Sequence, residues 1–306
     1  MAINSISTVT KYTDALDRLF VQKAATGFLT DNTFGAKFIG AKTVVLPSVE
    51  FVGLADYDRD SGFSRGKMTV SQASYTLSKD RARSIQIDRM DLDEAGIANL
   101  AGQVLGEYIR TQVVPECDSY ILSKLYSIAN SKSHVTTYAA AKADSNLLKV
   151  INEVQDASGY EDELIAFVDS EQYGALMTDT EFSRNLIVSD FSQGNLDFKV
   201  KTLNGVALIP VTKSRMKSEY EFNAGATATA GGFSAKTGAV QVHAIVMPKT
   251  AASVVRKTEK LRIFEPDLNP DADAYKFDYR IVYDALVKSS NLDKIYAIAE
   301  AASQNT

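Results

Sequence analysis

The sequence predicts an α+β protein: an extended charged hairpin, a long rod-like helix, a compact α/β region and a return to antiparallel strands. Three observations carry this. A polar tip, Asp56-Tyr57-Asp58-Arg59-Asp60-Ser61-Gly62-Phe63-Ser64-Arg65-Gly66, is followed by two β-type runs, Lys67–Leu77 and Arg83–Asp88. From Asp91-Leu92-Asp93-Glu94 an apolar stripe then continues at steps of three and four to about Asn130. Finally, Tyr275–Val287 alternates with period two, as a half-exposed antiparallel strand does.

The bulk numbers fit a folded chain. It has 306 residues, 45% of them hydrophobic, which is enough for a real core and excludes a disordered chain. The net charge of −5 argues against a surface built to grip nucleic acid, but not against an inner wall that tolerates it. A single cysteine, Cys117, rules out an intrachain disulfide. It falls inside the long helical pattern and reads as a buried structural thiol, with a redox or catalytic thiol as the alternative. No basic-then-apolar signal pattern opens the sequence, and no apolar run reaches the ~18 residues that span a bilayer, so the chain reads as soluble.

Taken in order, residues 1–40 form an arm. Tyr12, Leu16, Leu19 and Phe20 supply a weak helical stripe that needs another surface to bury it. Thr43-Val44-Val45-Leu46 is a short β-type run that Pro47 limits to an edge or an end. Residues 41–90 are extended throughout. The acidic residues at 91–94 favour a helix N-terminus. Pro115 should kink or break the helix that follows, since proline lacks the N–H and clashes with the preceding turn. At ~40 residues this rod would be about 60 Å long.

A compact region spans 134–249. Asp144 or Ser145 is expected to cap a helix with the stripe Leu147, Leu148, Ile151 and Val154, ending near Gly159. Glu163–Val168 reads as a buried strand, and Asp169-Ser170-Glu171 as the cap of a short helix. Asn204-Gly205, between Leu196–Thr202 and Val206–Val211, is a strong hairpin signal. Gly225–Gly232 is a flexible loop, and Val240–Met247 a central strand. In 250–306, Leu261–Phe264, Tyr275–Val287 and Lys294–Ile298 are strands. In the long one, Lys276, Asp278, Arg280 and Asp284 lie on the face opposite the aromatic residues.

A search for chemistry finds little. His134 lies in a polar loop and His243 in an apolar strand, as a core or edge residue, and neither has a partner at metal-ligand spacing. There is no P-loop, GxGxxG or GxSxG motif. Asp56/Asp58/Asp60 alternate as in a calcium loop but lack its glycine and terminal Glu. No cofactor or metal is expected.

Several runs resemble a known family in order and spacing. They are Ser64-Arg65-Gly66; Tyr75-Thr76-Leu77-Ser78-Lys79-Asp80-Arg81; Ile85-Gln86-Ile87-Asp88-Arg89-Met90-Asp91-Leu92-Asp93-Glu94; and Val113-Val114-Pro115-Glu116-Cys117-Asp118-Ser119-Tyr120. The last is similar to a "VVPEhDxY" turn, with Cys117 at a position that is usually aliphatic. Tyr283-Asp284-Ala285 and Lys294-Ile295-Tyr296-Ala297 add to it. Over nearly its whole length the chain resembles the major capsid proteins of tailed bacteriophages, which have the Hong Kong 97-like fold.

The resemblance implies an N-terminal arm (1–40), an E-loop (41–90), a spine helix (91–133) in a peripheral domain completed by 250–306, and an axial domain (134–249). It implies a non-enzymatic subunit that self-assembles into pentamers and hexamers. These would enclose double-stranded DNA without reading its sequence, in a virion capsid assembled in the host cytoplasm. The partners implied are copies of itself, a portal, a separate scaffolding protein and, in some relatives, a decoration protein. No membrane is involved. Because Met1 opens directly on the arm, no cleaved N-terminal extension is expected. Inter-subunit contacts are expected from Asp56, Asp58, Arg59, Asp60, Phe63, Arg65 and Lys67 at the tip and from Tyr12, Leu16 and Phe20 in the arm. Asn204-Gly205 and Gly231-Gly232 are the candidates to face a capsomer axis. The rivals are an encapsulin-type shell, which shares the fold but encloses protein cargo, and more remotely an α/β enzyme or a tail subunit.

Overall fold

The computed structural model describes residues 24–31, 37–39, 42–60, 62–90, 105–159, 163–178, 186–193, 196–227 and 230–301. The arm residues Tyr12, Leu16 and Phe20 and the acidic helix start at 91–94 lie outside them.

The sequence's largest apolar runs build a seven-stranded mixed sheet. Its spatial order is β5 (Val135–Thr137), β15 (Tyr296–Ala299), β12 (Val242–Pro248), β6 (Leu164–Asp169), β9 (Val206–Val211), β8 (Leu196–Leu203) and β7 (Leu186–Gln193). Both central strands, β6 and β12, are buried along their whole length. Alternate side chains enter two different cores, which explains their unbroken apolar runs. Ile165, Phe167, Ile245 and Met247 pack with helix α1 (Val114–Ser131). Leu164, Ala166, Val168, Ala244 and Val246 pack against α2 (Ala143–Ser158) and α3 (Ser170–Thr178) on the opposite face.

A second sheet is all antiparallel, in the order β13 (Ala252–Phe264), β14 (Ala274–Val287), β4 (Lys79–Asp88). β14 and β4 are in register from Ala274↔Asp88 to Tyr283↔Lys79. The expected half-exposed strand holds only for the first half of β14. From Ile281 to Val287 both faces are buried, and Asp284 with them. One face of this half meets α1. The other meets Val44, Leu46 and Leu77 at the base of a third sheet.

That third sheet is the hairpin. β2 (Thr43–Phe51) pairs with β3 (Met68–Thr76) in register from Thr43↔Thr76 to Phe51↔Met68. β1 (Lys37–Phe38) adds two residues opposite Val45 and Val44, and β10 (Tyr220–Phe222) and β11 (Phe233–Ala235) pair antiparallel as a separate two-stranded sheet. The arms are therefore β2 and β3. The Arg83–Asp88 run leaves the hairpin and joins β14. β2 also runs through Pro47, beyond the reach of the described part of β1. The missing N–H there costs nothing on that open edge.

Residues 105–131 are helical throughout, with a π turn at Ile109–Val113 leading into α1. The Val114 N–H bonds the Ile109 carbonyl, five residues back. Pro115 thus falls in the first turn after the π segment, where its missing N–H is accommodated without a break. The added residue buries Val113 and Val114 in succession and carries the apolar stripe on to Cys117, Ile121 and Leu125.

α2 ends, as expected, at Gly159, whose φ of 81° suits a residue without Cβ. Its N-terminus differs from expectation. A 3₁₀ turn, Ala140–Lys142, precedes it, so Asp144 and Ser145 lie within the first turn and neither caps it. Asp169 does cap α3, accepting the Gln172 N–H at 2.8 Å.

Candidate functional site: a projecting hairpin and its anchor

The β2–β3 hairpin is held at its base and bare at its tip. Met68 to Gln72 are five consecutive exposed residues. Successive strand side chains point to opposite faces, so both faces of the ribbon meet water. The side chains there are large and apolar: Phe51, Val52, Leu54, Tyr57, Phe63, Met68 and Val70 are all exposed, Phe63 at 90%. Tyr57 and Phe63 touch edge to face at 5.2 Å and form a small local cap. Asp58 closes the tip turn, its Oδ1 accepting the Asp60 N–H at 2.9 Å and its carbonyl the Gly62 N–H at 2.8 Å. Among the described residues, Arg59, Arg65 and Lys67 have no ion-pair partner within the chain. The structure places Asp56, Asp58, Arg59, Asp60, Phe63, Arg65 and Lys67 together in the exposed segment between β2 and β3.

The anchor lies where β3 passes into β4. Asp284 of β14, 2% exposed, accepts from the Ser78 N–H (3.1 Å), Ser78 Oγ (3.0 Å), Tyr120 Oη (2.8 Å) and Lys124 Nζ (2.5 Å). One carboxylate thereby joins the hairpin base, the long helix and β14. Burial raises the Tyr120 phenol, so it stays protonated and can donate. Asp80, two residues on, binds Arg280 in a fork (2.9 and 2.7 Å) and Lys42 at 2.8 Å. The hydrogen bond from Arg280, then that from Lys42, holds the Asp80 carboxyl well below the usual carboxylate range.

The run Glu116-Cys117-Asp118-Ser119-Tyr120 sends alternate side chains to separate anchors. Glu116 takes Arg81 of β4 at 2.6 and 3.3 Å. The Cys117 side chain is buried in the core, and burial pushes its thiol up, which suits a structural and not a redox role. Asp118, fully buried, accepts from the Ala25 N–H (3.0 Å), the Thr26 N–H (3.1 Å), Thr26 Oγ1 (2.7 Å) and Arg215 Nη1 (3.2 Å). Burial raises its carboxyl, and those donors oppose the shift. Tyr120 completes the set at Asp284. Sequence reasoning found the motif through resemblance but not these roles. The available signal was a carboxylate inside an apolar stripe, as at Asp118, which needs a partner.

The two axial candidates differ. Asn204 (φ 49°) and Gly205 (φ 81°) form the turn between β8 and β9, and paired positive φ values mark a hairpin turn of the primed type. Gly231 and Gly232 instead lie against the anchor. Arg83 Nη1 donates to the Ala230 carbonyl (2.9 Å), and Arg81 donates to the Asn223 (2.8 Å) and Gly232 (3.2 Å) carbonyls.

Comparison with family models finds no match for the sequence, and none of the curated proteins matches it. Solved structures do match. The chain is similar to the mature capsid of bacteriophage PhiM1, with a TM-score of 0.54 at 14% identity over 87% of this chain and 83% of that one. It is similar to the capsid of cyanophage P-SCSP1u at a TM-score of 0.55 and 12% identity, over 87% and 86% of the two chains. The fold is that of the tailed-phage capsid proteins. A virus-like particle from Pyrococcus furiosus matches as well, at a TM-score of 0.53 and 10% identity over 97% of this chain and all 100% of that one. The Hong Kong 97-like α+β fold expected from the order of sequence runs is therefore present, at identities where sequence alignment fails.

Proposed function

We propose that this chain is a major capsid protein. It assembles into pentamers and hexamers that close an icosahedral shell around phage DNA. The observation that carries the reading is the β2–β3 ribbon: two strands, wet on both faces, tipped with exposed aromatic and aliphatic side chains. An isolated two-stranded hairpin is marginal in water. A contiguous exposed apolar surface of this kind marks a binding site. In this reading the partner is a second copy of the chain, which the capsid fold supports.

In this reading the tip lies across a neighbouring subunit. Apolar contact gives the strength, and Asp56, Asp58, Arg59, Asp60, Arg65 and Lys67 set the register. Exposed ion pairs contribute only ~0–1 kcal/mol each. Head-to-tail contacts that close by rotation produce rings of five and six. Residues 134–249 gather at those axes with the Asn204-Gly205 turn foremost, since the Gly231-Gly232 loop is already occupied by Arg81 and Arg83. Residues 1–40, with Tyr12, Leu16 and Phe20, add a strap. A separate scaffolding protein and a portal direct assembly. The shell tolerates DNA and does not read it, in keeping with the net charge of −5. The role is structural and not catalytic. Among the described residues no helix is long and apolar enough to cross a membrane, and the shell's place is the virion, built in the host cytoplasm. Arg65→Glu tests the tip: particle yield should fall several-fold while the subunit's thermal unfolding is unchanged. Normal yield would refute the role given to it.

A second reading, an encapsulin-type shell around protein cargo, is favoured by the end-to-end match to the Pyrococcus furiosus particle. The contents of shells purified from the native source separate the two: nucleic acid for the capsid, a co-purifying enzyme for the encapsulin.

A further inference from the structure

Asp169, Glu171 and His243 converge at one end of the central strands of the large sheet, away from the hairpin and its anchor. Asp169 ends β6, Glu171 stands in the first turn of α3, and His243 comes from β12. One ligand atom from each lies within 4.8 Å of the others. His243 is fully buried, with Tyr138 stacked on its ring at 3.6 Å. Neither ring nitrogen makes a hydrogen bond, although Nδ1 lies 3.1 Å from Asp169 Oδ2. A buried imidazole nitrogen this close to a carboxylate oxygen, with no hydrogen bond between them, is an unmet electrostatic demand. Asp169 divides its work. Oδ1 accepts the Gln172 N–H that caps α3, while Oδ2 is turned to His243, with Gln241 Nε2 at 3.4 Å.

We propose that Asp169, Glu171 and His243 form a divalent transition-metal site that pins β6, α3 and β12 together. One imidazole nitrogen with two carboxylate oxygens suits Zn²⁺ or a neighbouring first-row ion, and not Mg²⁺ or Ca²⁺, which take oxygen alone. Tetrahedral ligand atoms at Zn²⁺ distances are about 3.3 Å apart, so the set must contract. Asp169 and His243 are already that close. Glu171 is half-exposed and supplies the movement. Its Oε2 is held by Lys213 Nζ at 2.5 Å, so that ammonium is the ion's competitor and swings away on binding. Glu300, 3.8 Å from His243 Nε2, adds negative charge on the far side of the ring. Water would complete the coordination. The site does not depend on the capsid reading.

The test is calorimetric titration of the untagged full-length protein with Zn²⁺ at pH 7.5, with Mg²⁺ as the contrasting ion, alongside thermal unfolding with and without chelator. The expected result is one Zn²⁺ per chain, a rise in unfolding temperature that EDTA reverses, and no response to Mg²⁺. Glu171→Gln, at a half-exposed position that leaves the fold intact, should weaken binding by about tenfold or more. Lys213→Gln should strengthen it. No saturable Zn²⁺ binding, or binding that Glu171→Gln and His243→Asn both leave unchanged, would overturn the assignment.

Discussion

Asp284 shows how much one side chain organises. It is nearly inaccessible, and Ser78, Tyr120 and Lys124 satisfy it from two other elements. Removing one partner of a buried ion pair leaves the other charge uncompensated, at several kcal/mol. Lys124 is a third exposed, so water recovers part of that. Asp284→Asn is therefore expected to cost about 2 kcal/mol, read from urea unfolding; a loss under ~0.5 kcal/mol would contradict the anchor. Asp80 makes a pH-dependent version of the same argument. Its folded carboxyl is depressed by Arg280 and Lys42, so its contribution is complete above the unfolded pKa near 4 and is lost as pH falls below it. The pair is partly solvated, which limits Asp80→Asn to ~1 kcal/mol at pH 7. The wild-type advantage should shrink through pH 4 to 2, and a constant difference across that range would rule the linkage out. Neither carboxylate's role was legible in the sequence. Asp284 reads as an outward position of an alternating strand, and only the packing of the hairpin base over β14 turns that face inward.

At the scale of elements, several local signals were read correctly, while the Asp144 or Ser145 cap expected for α2 is replaced by a 3₁₀ turn. Asn204-Gly205 turns because both residues sit at positive φ, Gly159 ends α2, and Asp169 caps α3. Partner choice was not legible. β3 and β4 follow one another as two β-type runs, and nothing local says that one pairs back to β2 while the other crosses to β14. The strand β7 was missed because Leu186-Ile187-Val188 is a short run broken by Ser189-Asp190. Its strand is fixed by pairing with β8 from Leu186↔Leu203 to Gln193↔Leu196. Pro115 was read as a kink because the π turn that absorbs it has no sequence signature. The hairpin's exposure makes a prediction at this scale. In the unassembled subunit, limited proteolysis should cut first between residues 52 and 67. In assembled particles the same bonds should be protected, and equal cleavage in both states would mean that the tip covers nothing.

At the scale of the whole molecule, the design separates stability from association. The large sheet, α1, α2 and α3 bury two apolar cores within the chain. The small cluster of Val44, Leu46, Leu77, Val255, Val282 and Leu286 fixes the hairpin's base, and the described side chains toward the tip are exposed. In the proposed capsid role, such a chain folds as a subunit and is completed by its copies. The most direct test is electron microscopy of the expressed protein, with sedimentation, alone and with the proposed scaffolding protein. Closed shells, or rings of five and six, are the predicted result. A monodisperse monomer under both conditions, at concentrations where capsid proteins assemble, would contradict the account.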